Sequence, residues 1–171
     1  NDLRMLGRVV RRPGLKRGYY LGYVGYGNLG DEVLHTAISS LIGQRVLLHI
    51  PPKGKLLEFL EQWGILTYDF LVLGGGTVIF QNDHELRRIQ DERVRCKIAF
   101  GTGVADPEFW ETVDSSDSEV RSWTMTSNRQ AWIETLNRFS YIGVRGPSSQ
   151  RILNTAGVRD VRIIGDPALY Y

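Results

Sequence analysis

Residues 18–42 read GYYLGYVGYGNLGDEVLHTAISSLI, and their order decides the fold. Residues 18–24 are aromatic and apolar, the composition of a buried strand. Glycines at 25, 27 and 30 follow, and residues 31–42 then place Val33, Leu34, Ala37, Ile38 and Leu41 at helical spacing. Asp31 and Glu32 open that helix, where the macrodipole favours negative charge, and Gly43 closes it. Strand, glycine turn and helix in this order begin an α/β unit. The turn offers N–H donors to an anion at a helix N-terminus.

The same alternation continues outward. Residues 45–50 (RVLLHI) read as a second strand ended by Pro51-Pro52, and 56–63 as a short amphipathic helix stopped by Gly64. Residues 69–73 (DFLVL) are apolar almost throughout, as in a strand covered on both faces. A charged helix over 84–95 leads to strand four at 97–101. The polar stretch 105–127 is a long insert of the kind that forms a lid, a binding loop or a disordered excursion. Helix 128–139, with Asn128 at its N-cap, precedes strand five at 141–144. Pro147 starts helix 148–156, Gly157 caps it, and 161–164 is strand six, with 166–171 strand-like after it. The pattern predicts an α/β fold with a doubly wound, mostly parallel, Rossmann-like sheet. Ligands of such sheets bind beyond the carboxyl ends of the strands.

At 171 residues, 42% apolar and 23% charged, the chain suits one packed domain. A net charge of +2 argues against nucleic acid as partner. Arg8, Arg11, Arg12, Lys16 and Arg17 read as a solvated basic arm over 1–17, ahead of a domain over 18–171. The one cysteine, Cys96, excludes an intrachain disulfide, points to a reducing compartment and suits a core helix end or strand start. No apolar run approaches the roughly 20 residues that span a bilayer, and no signal peptide opens the chain. The start at Asn1 and the stop at Tyr171 suggest part of a larger protein.

Three loops with binding character leave strand ends. In the first, Gly25, Gly27 and Gly30 spell the dinucleotide fingerprint, with Asn28 and Asp31 beside them. A nicotinamide cofactor wants an acid after strand two, yet that stretch is His49-Ile-Pro-Pro-Lys53, and Asp31 would repel a pyrophosphate. The second loop, Gly74, Gly75, Gly76 and Thr77, could form an N–H nest with one hydroxyl. The third places Arg145 before Gly146-Pro147 and the hydroxyls of Ser148 and Ser149, a set suited to bidentate phosphate or carboxylate binding. The competing readings are packing turns for the glycines and a structural ion pair for Arg145. His35 and His49 fall inside elements and read as packing residues, while His84 follows the triple glycine closely enough to face it. No histidine–carboxylate spacing suggests a metal, and no G-x-S-x-G elbow a serine hydrolase.

Taken together, Gly25-Tyr-Gly-Asn-Leu-Gly-Asp-Glu32, Leu71-Val-Leu-Gly-Gly-Gly-Thr77, Gly143-Val-Arg-Gly-Pro-Ser-Ser149 with Leu153 and Gly157, and Gly165-Asp-Pro-Ala168 resemble the polysaccharide pyruvyl transferase family. The resemblance implies a glycosyltransferase-B-like architecture of two Rossmann-like domains, of which this chain would be the first. It implies transfer of a pyruvyl group from phosphoenolpyruvate, as donor substrate with no other cofactor, to two hydroxyls of an exopolysaccharide or cell-wall glycan sugar. The products would be a cyclic ketal and phosphate. By motif match, Arg145 with Ser148 and Ser149 would bind the donor. Gly27, Asn28, Gly30 and the 74–77 loop would line the cleft, and Asp31 would orient or deprotonate an acceptor hydroxyl. An acid histidine and further cations would come from the second domain, so the isolated first domain should turn over little. A lipid-linked acceptor implies a cytoplasmic protein at the inner membrane face, its basic arm against anionic lipid. A sugar-nucleotide-dependent glycosyltransferase-type domain and a non-catalytic binding domain of the same fold are the alternatives.

Overall fold

The apolar run becomes strand β1 (Lys16–Leu21), whose side chains alternate between two buried faces. In the computed structural model, residues 14–25, 27–43, 46–50, 67–81, 83–91, 94–106 and 128–170 are described. The expected helix at 56–63 and most of the 105–127 insert lie outside them. Helix α1 (Leu29–Ile42) leads to β2 (Val46–His49), and β3 (Phe70–Leu73) is followed by β4 (Thr77–Ile79). Helix α2 (Asp83–Asp91), strand β5 (Cys96–Val104) and helix α3 (Arg129–Leu136) come next. Strand β6 (Tyr141–Val144), helix α4 (Pro147–Thr155), strand β7 (Val161–Ile163) and a 3-10 turn (Pro167–Tyr170) complete the described order.

The strands form one seven-stranded sheet of order β2-β1-β3-β5-β6-β7, with β4 beside β5, and every pairing is parallel. Tyr19, Leu21, Leu71 and Leu73 face α2, α3 and α4 through Leu86, Ile89, Trp132, Leu136 and Leu153. Tyr20 and Val72 face the other way, against Ile38 of α1. Burial on both faces explains why residues 18–21 of β1 and all of β3 are apolar runs rather than alternating strands. The chain winds outward from β1 in both directions, so the topological switch lies between β1 and β3. The loops 22–28 and 74–76 leave the sheet there.

Several boundaries differ from the sequence reading for physical reasons. β1 begins at Lys16, so Lys16 and Arg17 are strand residues rather than a solvated arm. Arg17 is buried and its backbone N–H donates to the Asp69 carboxylate at 2.7 Å. Helix α1 begins at Leu29 because Asn28, not Asp31, caps it: the Asn28 Oδ1 accepts from the Gly30 N–H at 3.1 Å. Leu41, expected on the apolar face, is exposed in the last turn. Asn128 occupies an N-cap position, but its side chain donates to Asp83 at 2.9 Å instead of capping. The strand-like 166–171 tail is a 3-10 turn over its described part, because Pro167 has no N–H to give a ladder. β4 resumes at Thr77 in the register that β3 has on β5 and slips by one residue at Ile79, so the two follow one strand path interrupted by Gly74–Gly76. Cys96 opens β5, half-buried. No helix among the described residues is long and apolar enough to cross a membrane.

Candidate functional site

Arg145 leaves the carboxyl end of β6 and reaches back over the neighbouring strands. Its Nε–H donates to the Gly101 carbonyl at 2.8 Å and its Nη2 donates to the Gly75 carbonyl at 2.9 Å. Gly101 can accept because it is the extra residue of a bulge in β5. The register on β6 slips between Phe100 and Thr102, and Gly101 takes a left-handed φ of 68°. Two carbonyls, one in β5 and one in the loop after β3, thus fix one edge of the guanidinium. Among the described residues Nη1 has no hydrogen-bond partner, and the side chain is 31% exposed. Asp166, after β7, adds a carboxylate oxygen 3.5 Å from Nε. The two sequence readings of Arg145 therefore meet in one residue: it is ion-paired, and it keeps a donor end without a partner.

Asp31 sits deeper than its sequence position suggested. It is 2% exposed, Oδ1 accepts from the Gly76 N–H at 2.6 Å, and Oδ2 accepts from Asn28 Nδ2 at 2.5 Å. Glu32 in the same turn accepts from the Gly25 N–H at 2.6 Å. Three donors there are committed within the protein: the Gly25 N–H to Glu32, and the Gly30 and Glu32 N–H groups to the Asn28 side chain and carbonyl. In this geometry the Asp31 carboxylate ties α1 to the broken β3–β4 strand. Gly27 and Gly30 are exposed, and Gly27 has open space around it.

The triple glycine is packed rather than open. The Gly74 N–H donates to the Leu21 carbonyl at 3.0 Å and the Gly76 N–H is held by Asp31, so the expected N–H nest is mostly used internally. A Cβ on Gly74 would lie 2.7 Å from the Tyr20 hydroxyl. A Cβ on Gly75, which has a φ of 88°, would lie 2.7 Å from Asp31 Oδ1. Gly76 has only ordinary contacts at that point. Tyr20 itself is fully buried, and its hydroxyl has no hydrogen-bond partner among the described residues. Burial, and then the Asp31 carboxylate, push that hydroxyl's pKa far above its ordinary value, so it stays neutral. Thr77 opens β4 and is exposed.

The N-terminus of α4 contrasts with that of α1. Its N-cap is Gly146, which has no side chain to offer, Pro147 occupies the first turn, and no acid follows. Among the described residues nothing accepts from the Ser148 and Ser149 N–H groups, and Ser148 is exposed while Ser149 is half-buried. The structure thus brings Arg145, Ser148, Ser149 and the 74–77 loop to one end of the sheet. The histidines stand apart: His35 stacks edge-on against Tyr20, and His49 lies near Tyr68. His84 contacts its neighbour Glu85 at 3.4 Å. A cavity of about 430 Å³ at the other end of the sheet is lined by Gln90, Arg95, Lys97, Glu134 and Arg138. Lys97 there donates to the Ile89 carbonyl near the end of α2, where a cation complements the helix dipole.

Gly101 and Asp166 both contact Arg145 without having been given roles by the sequence. The bulge left no local signal. Asp166 stood in the Gly165–Ala168 motif, just after a strand, which is the position a binding acid would occupy.

This doubly wound sheet, with a guanidinium and an uncapped helix N-terminus at its carboxyl edge, defines a Rossmann-like α/β domain. Residues 15–171 match the family model of the polysaccharide pyruvyl transferases, and the chain belongs to that family. No curated protein and no solved structure shows significant similarity to it.

Proposed function

We propose that this domain binds phosphoenolpyruvate and serves the transfer of its pyruvyl group to a glycan sugar, forming a cyclic ketal and releasing phosphate. The observation that carries the reading is the Arg145 guanidinium, held on one edge by Gly101 and Gly75 with Nη1 left over, two residues before the uncapped start of α4. A trianionic donor needs a fixed fork of donors more than a flexible charge, and carbonyl anchoring supplies that without neutralising it. Ser148 and Ser149 add N–H and hydroxyl donors at the helix N-terminus. Protonation of the donor's methylene carbon gives an oxocarbenium-like centre that one sugar hydroxyl attacks; phosphate departs and the second hydroxyl closes the ring.

In this reading the general acid comes from a second domain across a cleft, as the family resemblance implies. The domain alone then binds the donor weakly and turns it over little. The acceptor is a lipid-linked glycan met at the cytoplasmic face of a membrane. Asp31 holds the loops in place rather than touching the acceptor.

Calorimetric titration of the chain with phosphoenolpyruvate tests the donor assignment, with a sugar nucleotide as the competing ligand. Binding is expected for phosphoenolpyruvate, and Arg145→Gln should weaken it about 10- to 100-fold, the loss of a charge-assisted pair. Preference for the sugar nucleotide, or an Arg145→Gln variant that binds as well as the parent, would refute the proposal.

A further inference from the structure

Asp166 has neither a catalytic nor a packing role in the reading so far, yet its carboxylate is fixed beside the anion site. One oxygen, Oδ1, accepts from the Ala168 N–H at 3.0 Å, and its backbone carbonyl accepts from the Leu169 N–H at 3.0 Å. Pro167, next in the chain, is buried where a Cβ on Gly101 would strike its ring. The backbone of the turn is therefore seated by Pro167, and the Ala168 N–H holds the carboxylate on it. The other oxygen, Oδ2, stays 3.5 Å from Arg145 Nε.

That contact does not orient the guanidinium. The Nε–H already donates to Gly101 at 2.8 Å, and Nη2 is held by Gly75. What Asp166 adds is charge. Carbonyls align a guanidinium while leaving its full positive charge available, whereas a fixed carboxylate lowers the potential felt by any anion arriving at Nη1. Arg145 and Asp166 are about equally exposed, 31% and 32%, so solvent screens the effect without abolishing it.

We infer that Asp166 is a built-in counter-charge beside Arg145 that keeps the affinity for phosphate-bearing ligands low enough for the phosphate product to leave. The inference rests on the donor reading above. An orienting residue and a counter-charge predict opposite signs, because loss of orientation weakens anion binding and loss of the counter-charge strengthens it.

Asp166→Asn keeps an oxygen for the Ala168 N–H and removes only the charge. Titration with inorganic phosphate, and separately with phosphoenolpyruvate, should show binding tightened about three- to fivefold at low ionic strength, the range of a partly exposed ion pair. The gain should shrink at about 0.5 M salt, roughly where the screening length falls below the size of the site. Asp166→Ser, which also leaves an oxygen near the turn and removes the charge, should show the same gain. Unchanged or weaker phosphate binding by a folded Asp166→Asn chain, with parent binding intact, overturns the role of Asp166 alone. Failure of both variants to fold assigns Asp166 to the turn and also overturns it. A parent chain that takes neither anion removes the donor reading beneath it.

Discussion

Replacing Asp31 by asparagine tests whether this buried carboxylate is a tether. The new side chain could still accept from the Gly76 N–H through its carbonyl, but its amide would then face the amide of Asn28 across a contact of 2.5 Å. Two donors cannot share that contact. Asn28 can turn its oxygen toward residue 31 only by presenting its amide to the Gly30 N–H and giving up the α1 cap. The cheaper escape is loss of the cap, about 1 kcal/mol. The Gly76 bond also falls from charge-assisted to neutral, about another 1 kcal/mol. A destabilisation of about 2 kcal/mol should lower Tm by about 4–8 °C for a domain of this size. The double variant Asn28→Asp/Asp31→Asn restores both bonds. The carboxylate, now at the cap position, accepts from the Gly30 N–H and from the amide introduced at position 31. The exchange also places the charge at an exposed N-cap, where the helix dipole favours it. Urea unfolding followed by tryptophan fluorescence on the four chains of the cycle gives the coupling, expected near 1–2 kcal/mol. A coupling below about 0.5 kcal/mol, or an Asp31→Asn chain as stable as the parent, would refute the tether. Donor binding offers a second readout: the exchanged pair should restore it, whereas a carboxylate required at position 31 for its own chemistry would leave the pair defective.

The glycines should separate by cause. Gly74→Ala, which meets Tyr20, and Gly75→Ala, which meets Asp31 from a left-handed backbone, should each cost more than about 2 kcal/mol. Gly76→Ala should stay within about 1 kcal/mol in the same urea assay; equal costs at all three would show that loop flexibility matters rather than these contacts. Acidification should destabilise the fold through His35 and His49, whose pKa values are lowered first by burial. Their contribution is full above the ordinary value of 6.5 and is lost as pH falls through their lowered values, because the unfolded chain takes up protons that the folded one resists. The urea midpoint should therefore drop between about pH 7.5 and 5, and the double substitution His35→Phe/His49→Phe should flatten that slope. A slope unchanged in that variant would assign the acid sensitivity to other groups.

The sequence alone determined the layers and their order. Strand and helix periods, glycine and proline stops, and the apolar residues 18–21 of β1 and 70–73 of β3 are local consequences of backbone geometry and two-sided burial. It also supplied the residue types of the site, because a guanidinium before Gly-Pro-Ser-Ser marks itself. Tertiary structure decided what those residues do. Arg145 finds its carbonyls 44 and 70 residues away in sequence, across a bulge that no local pattern announces. Asp31 looked like a cleft acid at a helix start, and only the packing of α1 on the interrupted β3–β4 strand buried it against Gly76. The glycines of 74–76 read as an N–H nest for an anion, yet the Gly74 and Gly76 N–H groups are held within the protein and the space at Gly74 belongs to Tyr20. A glycine reports that something approaches closely, but the approaching group is named by the fold, since it comes from a strand or helix far away in the chain.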